Sequence, residues 1–207
     1  MEKDLITEER IKRSARNVFQ RKGFNGTRIA EIADNAGINR AMIHYYYRNK
    51  KSLFDIIMQE AIVELLSGIN TIINNKQTTL SEKIEMICVN FYDLLSENRD
   101  LTLFVLRELQ ASSGNIIDIY LSSLNLKISD SIFFRQLDKH IKEQKLDEII
   151  SARQIFINIV ALSVFPFFGN KLLIKSLDLN GACSFDELTM ERKQLQSVWI
   201  KKMLNLN

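Results

Sequence analysis

The chain has 207 residues, 46% of them apolar and 26% charged, with a net charge of +3. That is the balance of an ordinary globular protein and not of a membrane-spanning or disulfide-stapled one. One proline and seven glycines in the whole chain, with weak strand signals, predict an all-α fold of long helices.

In chain order, Thr7 followed by two glutamates reads as a helix start, and Ile11, Ala15, Val18 and Phe19 recur on one helical face until Gly23 stops it. Thr27 reads as the N-cap of a short helix, 28–36, with Ile29, Ile32 and Ala33 inward and Gly37 at its end. Asn39 caps a third helix, 40–47, and Asn49 separates it from a fourth running over 50–74. Further helices are expected over 80–96, 101–111, 116–144, 152–173 and 185–204. The most apolar stretch, 155–168, is short of the ~20 residues that span a bilayer. The polar, charged start carries no apolar signal region, so a cytoplasmic protein without membrane contact is expected. Cys88 and Cys183 lack CxxC spacing, and His44 and His140 lack a second ligand at metal spacing. Free thiols, no metal and no cofactor are expected.

The charge is unevenly spread. Residues 1–50 hold eleven Lys/Arg against six Asp/Glu, while the remainder is slightly acidic. A basic N-terminal quarter suits an anionic partner, although a solvated basic face gives the same count. Within that quarter, Ala33 lies four residues before Gly37, and Ile43 six after it. A small residue at the crossing, a turn residue tolerant of positive φ and an apolar anchor together describe a helix-turn-helix. Spacing alone leaves an ordinary helical hairpin open. On the 40–47 helix, Ile43 and Tyr47 face the protein, Ala41, Met42 and Tyr45 the opposite side, and Arg40, His44 and Tyr46 the flanks. Rings with hydroxyl tips beside fixed positive charge suit a nucleic-acid backbone, and base edges can be read from the middle of such a face. The expected base contacts are Arg40, Ala41, Met42 and Tyr45. The expected phosphate contacts are Thr27, Arg28, Asn39, His44, Tyr46 and Lys50.

The stretch FNGTRIAEIADNAGINRAMIHYYYRNKKSLF resembles the N-terminal domain of the tetracycline-repressor (TetR-type) family of bacterial transcription regulators. The matching features are Gly23-Phe24, Thr27, Ile29-Ala30, Ala33, Ala36-Gly37-Ile38, Tyr45-Tyr46-Tyr47, Lys50 and Leu53. His44, Tyr46 and Tyr47 depart from the family's usual tyrosine, histidine and phenylalanine. The resemblance implies a DNA-binding domain over 1–48 and a helical effector-binding and dimerisation domain over 49–207. It also implies a homodimer on a palindromic double-stranded operator, and a small apolar or amphipathic effector that releases a repressor. An activator or ligand-independent DNA binder of the same fold is the alternative. An all-α enzyme or carrier is disfavoured, because no phosphate loop, metal cluster or nucleophile signature is present.

Two C-terminal helices are the dimer candidates, through Ile155, Ile159, Leu162, Phe165, Leu188, Leu195, Val198 and Trp199. The 155–168 helix is apolar nearly all round, which predicts burial on several sides. Met86, Phe91, Leu95, Phe104, Tyr120, Phe133 and Phe134 are candidates for an effector pocket, with core packing the competing role for each.

Overall fold

The computed structural model describes residues 2–111, 122, 127–176 and 184–206, and among these residues ten α-helices and one 3-10 turn are delimited. The chain forms two compact units: residues 1–65 with 100–124, and residues 66–99 with 125–207.

In the first unit, α1 (Glu2–Gly26) begins before Thr7, so Thr7 sits inside the helix and is not its cap. Its regular winding stops at Gly23, whose φ of 67° and ψ of 178° suit glycine almost alone. Ile11, Ala15, Val18 and Phe19 are buried on one face, as their spacing predicts. Next come α2 (Ile29–Ala36), α3 (Arg40–Tyr47) and α4 (Lys50–Asn74). The Ser14 hydroxyl donates to the Ile32 carbonyl at 2.8 Å and ties α1 to α2 in the core. Phe54 of α4 packs edge-on against Phe19 and against Phe104 of α6 (Arg99–Ala111). α4 is long and apolar enough to cross a membrane. Its Leu53, Phe54, Ile57, Met58, Ala61 and Leu65 are nevertheless buried within the chain, as in a core helix.

The second unit holds α5 (Leu80–Glu97), the 3-10 turn Ile128–Asp130, α7 (Ile132–Glu143), α8 (Ala152–Phe168), α9 (Asn170–Ser176) and α10 (Phe185–Met203). Reciprocal capping boxes start α5 (Thr79 with Glu82) and α10 (Ser184 with Glu187). α10 lies along α5 and is paired to it through Lys193–Asp93 and Lys201–Glu85. Gln196 of α10 is fully buried. Its amide donates to the Ile159 carbonyl and the Ser163 hydroxyl, both at 2.8 Å, so the polar group is satisfied inside the α8–α10 contact. Pro166 has no N–H to give the Leu162 carbonyl one turn back. The Tyr92 hydroxyl at 3.4 Å and an Arg192 N–H at 3.3 Å donate to that carbonyl instead.

Three further sequence expectations change. The 116–144 helix is replaced, over the described part, by the short turn and a helix that Ser131 caps. The 152–173 helix is broken at Gly169 into α8 and α9. Nor is α8 buried all round. Ile155, Ile159, Ser163, Pro166 and Phe167 face the core, while Ile157, Phe165 and Phe168 stand more than half exposed.

Candidate nucleic-acid interface

α2 ends in the geometry that its glycine allows. Gly37 has φ 62° and donates to the Asp34 carbonyl, and Ile38 donates to the Ala33 carbonyl at 3.0 Å. This is a Schellman closure, satisfying carbonyls that the helix leaves open. An Arg10 N–H adds a bond to the Ala36 carbonyl. The Asn39 side chain then accepts from the Ala41 N–H at 2.9 Å and starts α3. Ile43 and Tyr47 are buried beneath α3. Arg40, Ala41, His44 and Tyr45 are exposed, Tyr45 at 79%, while Tyr46 and Met42, the latter expected on the outward face, are half-buried. The face expected to read DNA is thus the bare one.

Its charges are free. Lys12 pairs with Glu9 and Glu60, Arg16 with Glu64, and Lys22 with Glu31, while Arg21 lies at 3.9 Å from Glu31. By contrast, the side chains of Arg13, Arg28, Arg40 and Arg48 make no hydrogen bond or ion pair among the described residues. Three of these four lie at the start of α2 or at the two ends of α3. The positive surplus read from the sequence is therefore concentrated on the helix-turn-helix, where counterions could be displaced by phosphates.

Several expected anchors are used differently. Thr27 is only 2% exposed, and its hydroxyl donates to the Gly23 carbonyl at 2.7 Å. The N-cap of α2 is Arg28, without a side-chain cap bond, so Thr27 neither caps the helix nor presents its hydroxyl. The Lys50 ammonium donates to the carbonyls of Phe24 and Thr27 at 2.9 and 3.0 Å and lies 4.3 Å above the Phe24 ring. Two of its three donors are spent inside the protein. The Tyr46 hydroxyl donates to Asp4 at 3.2 Å. His44 Nδ1 lies 2.9 Å from the Arg48 carbonyl, which can only accept; Nδ1 carries the proton and Nε2 is left for an outside partner. Tyr47 is buried with its hydroxyl unpartnered among the described residues, and burial is the main cause pushing its ionisation above the ordinary tyrosine range.

Glu108 of α6 was missed by sequence reasoning. It is 8% exposed, and its carboxylate accepts the Phe24 N–H at 3.4 Å. The signal was there: Leu101, Phe104, Val105 and Glu108 share one helical face, which places an acid in an apolar stripe.

The residues expected to line a pocket fall in both units. Phe104 packs on Phe54 in the first unit. In the second, Phe133 and Phe134 are buried against each other, and Phe91 and Leu95 are also buried. Met86 is exposed, and Tyr120 lies outside the described residues. Among the dimer candidates, Ile155 and Ile159 are fully buried in the chain's own core and have no surface to offer a partner. Leu162, Leu188, Leu195 and Trp199 are half-buried, and Phe165 and Val198 are exposed. Burial pushes the Cys88 thiol up to about 12, which marks a core residue; Cys183 lies outside the described residues.

The sequence profile "Bacterial regulatory proteins, tetR family" matches residues 11–57, which contain α2, α3 and the turn between them. "Probable HTH-type transcriptional regulator YttP" of Bacillus subtilis (strain 168) is 32% identical over 120 residues, 56% of this chain. The match spans only about half, 56%, of that relative's length. Two solved structures share the fold along nearly all of both chains. One is a bacterial regulatory protein of the tetR family from Rhodococcus RHA1, with a TM-score of 0.63, 15% identity and coverage of 97% and 96%. The other is the transcriptional regulator FadR from Bacillus subtilis in complex with stearoyl-CoA, with a TM-score of 0.59, 18% identity and coverage of 91% and 96%. Residues 11–57 thus carry a helix-turn-helix domain of the tetR family of bacterial regulatory proteins, on a chain whose fold is shared with these solved structures.

Proposed function

We propose that the protein is a cytoplasmic, DNA-binding transcription repressor that binds a palindromic operator as a homodimer and is released by a small amphipathic effector. Residues 1–48 are its DNA-binding domain and 49–207 its effector-binding and dimerisation domain. The observation that carries this reading is the bare face of α3, flanked by the unpaired guanidinium groups of Arg28, Arg40 and Arg48. In the proposed complex, Arg40, Ala41, Met42 and Tyr45 meet base edges. Arg28, Asn39, His44 and Tyr46 meet phosphates, Tyr46 by leaving Asp4.

The homodimer is supported by the apolar surface of the second unit, where Ile157, Phe165, Phe168 and Leu172 are each more than half exposed and Met190 and Val198 stand on α10. Surface of this kind marks an association site. An acyl-chain effector is supported by the relative crystallised with stearoyl-CoA. The test is an electrophoretic shift on the duplex upstream of the protein's own gene, with and without stearoyl-CoA. A retarded band that the acyl-CoA dissolves is expected. A band unaffected by acyl-CoA overturns the effector assignment alone, and no band on any duplex overturns the DNA-binding reading.

A further inference from the structure

One short segment, the turn from Gly23 to Thr27 that launches α2, is held from two directions by ionised side chains. From the first residue of α4, the Lys50 ammonium donates to the Phe24 and Thr27 carbonyls. From α6, the nearly buried Glu108 carboxylate accepts the Phe24 N–H. Phe24 thus has its N–H taken by an anion and its C=O by a cation, while its ring lies under the Lys50 charge at 4.3 Å. Gly23 leaves the space: a Cβ there would stand 2.7 Å from Glu108 Oε1. The Thr27 hydroxyl closes the turn on itself through the Gly23 carbonyl.

We propose that Lys50 and Glu108 are positioning residues for DNA recognition: they lock the 23–27 turn and so fix the angle at which the helix-turn-helix is presented. In this account Lys50 is not a phosphate anchor. A side chain with two donors already on carbonyls and its charge stacked on a ring acts through the backbone it holds. The inference rests on the DNA-binding reading for its consequence, and on the free protein for its geometry.

The test has two arms. In the first, amide hydrogen exchange is measured on the free protein and on Lys50→Met and Glu108→Gln variants. Faster exchange confined to the amides of residues 24–32 is expected, and unchanged protection there overturns the proposal whether or not DNA binds. In the second, affinity for a duplex selected from a randomised library and for an unrelated duplex is followed against salt, with Arg28→Ala as the comparison. Arg28→Ala should lower the salt slope by about one. Lys50→Met should keep the parent slope while the ratio of selected to unrelated affinity falls several-fold, a change that simple loss of folded protein does not produce. A slope reduced by about one with equal losses on both duplexes overturns the proposal and makes Lys50 a phosphate contact.

Discussion

Tyr47 carries a hydroxyl that the fold does not use. Its ring is core, as its i, i+4 partnership with Ile43 predicts, but the oxygen is buried without a partner among the described residues. Such a group loses its water and gains nothing in exchange. Tyr47→Phe should leave DNA binding intact and raise the unfolding free energy by on the order of 1 kcal/mol in urea titration. A drop of that size would show that the hydroxyl has a partner in solution. Arg40 is the opposite case, a guanidinium with no intramolecular partner among the described residues. Arg40→Ala should relax base preference at one position per half-site, costing on the order of 1–3 kcal/mol there. Selection from a randomised library checks this, and an unaltered consensus would confine Arg40 to the backbone. Both residues were legible in the sequence because helical periodicity alone sets which way they point. Lys50 and Thr27 were not legible as internal residues. Their partners are backbone carbonyls of a turn, and no pattern of residue types encodes where a carbonyl will face.

At the scale of elements, local signals delimit some helices and mislead at others: Thr7 and Thr27 read as N-caps, yet Thr7 lies inside α1 and the Thr27 hydroxyl bonds the Gly23 carbonyl. Gly37, Asn39 and the Ile43 anchor delimit α2 and α3 because a left-handed residue and a capping side chain act within a few residues. The break at Gly169 was hidden between two apolar segments, in which periodicity persists across an interruption, and the start of α7 at Ser131 lies in a mixed stretch where a second serine and an aspartate offer the same capping chemistry. The bare side of α8 was unreadable for a related reason: a helix apolar all round does not say which side its own chain covers. Gly23 combines a glycine-only backbone with a close approach to Glu108. Gly23→Ala should therefore destabilise the protein by at least about 1–3 kcal/mol, from the backbone strain alone. Thermal unfolding followed by circular dichroism would check it, and a melting temperature equal to the parent's would mean that the turn is free to rearrange.

At the scale of the whole molecule, the proposed homodimer would bring two recognition helices to one operator, since a single helix-turn-helix buries too little surface for tight specific binding. The exposed Phe165 and Val198 are the side chains proposed to pair the two chains. Since both side chains already face solvent, Phe165→Glu with Val198→Glu should yield a folded monomer with greatly weakened operator affinity. Light scattering combined with circular dichroism checks this, and an unchanged dimer mass would place the interface elsewhere.

The central claim is that the bare face of α3 and its free arginines read DNA. Fluorescence anisotropy with the labelled duplex upstream of the gene, titrated with protein at several salt concentrations, tests it most directly. The account predicts saturable binding that weakens steeply with salt, and a log–log slope that becomes shallower by about two when Arg28 and Arg48, the free guanidinium groups beside the base-reading face, are both replaced by alanine. Binding that ignores salt, or a double variant that binds with the parent's slope, would contradict it.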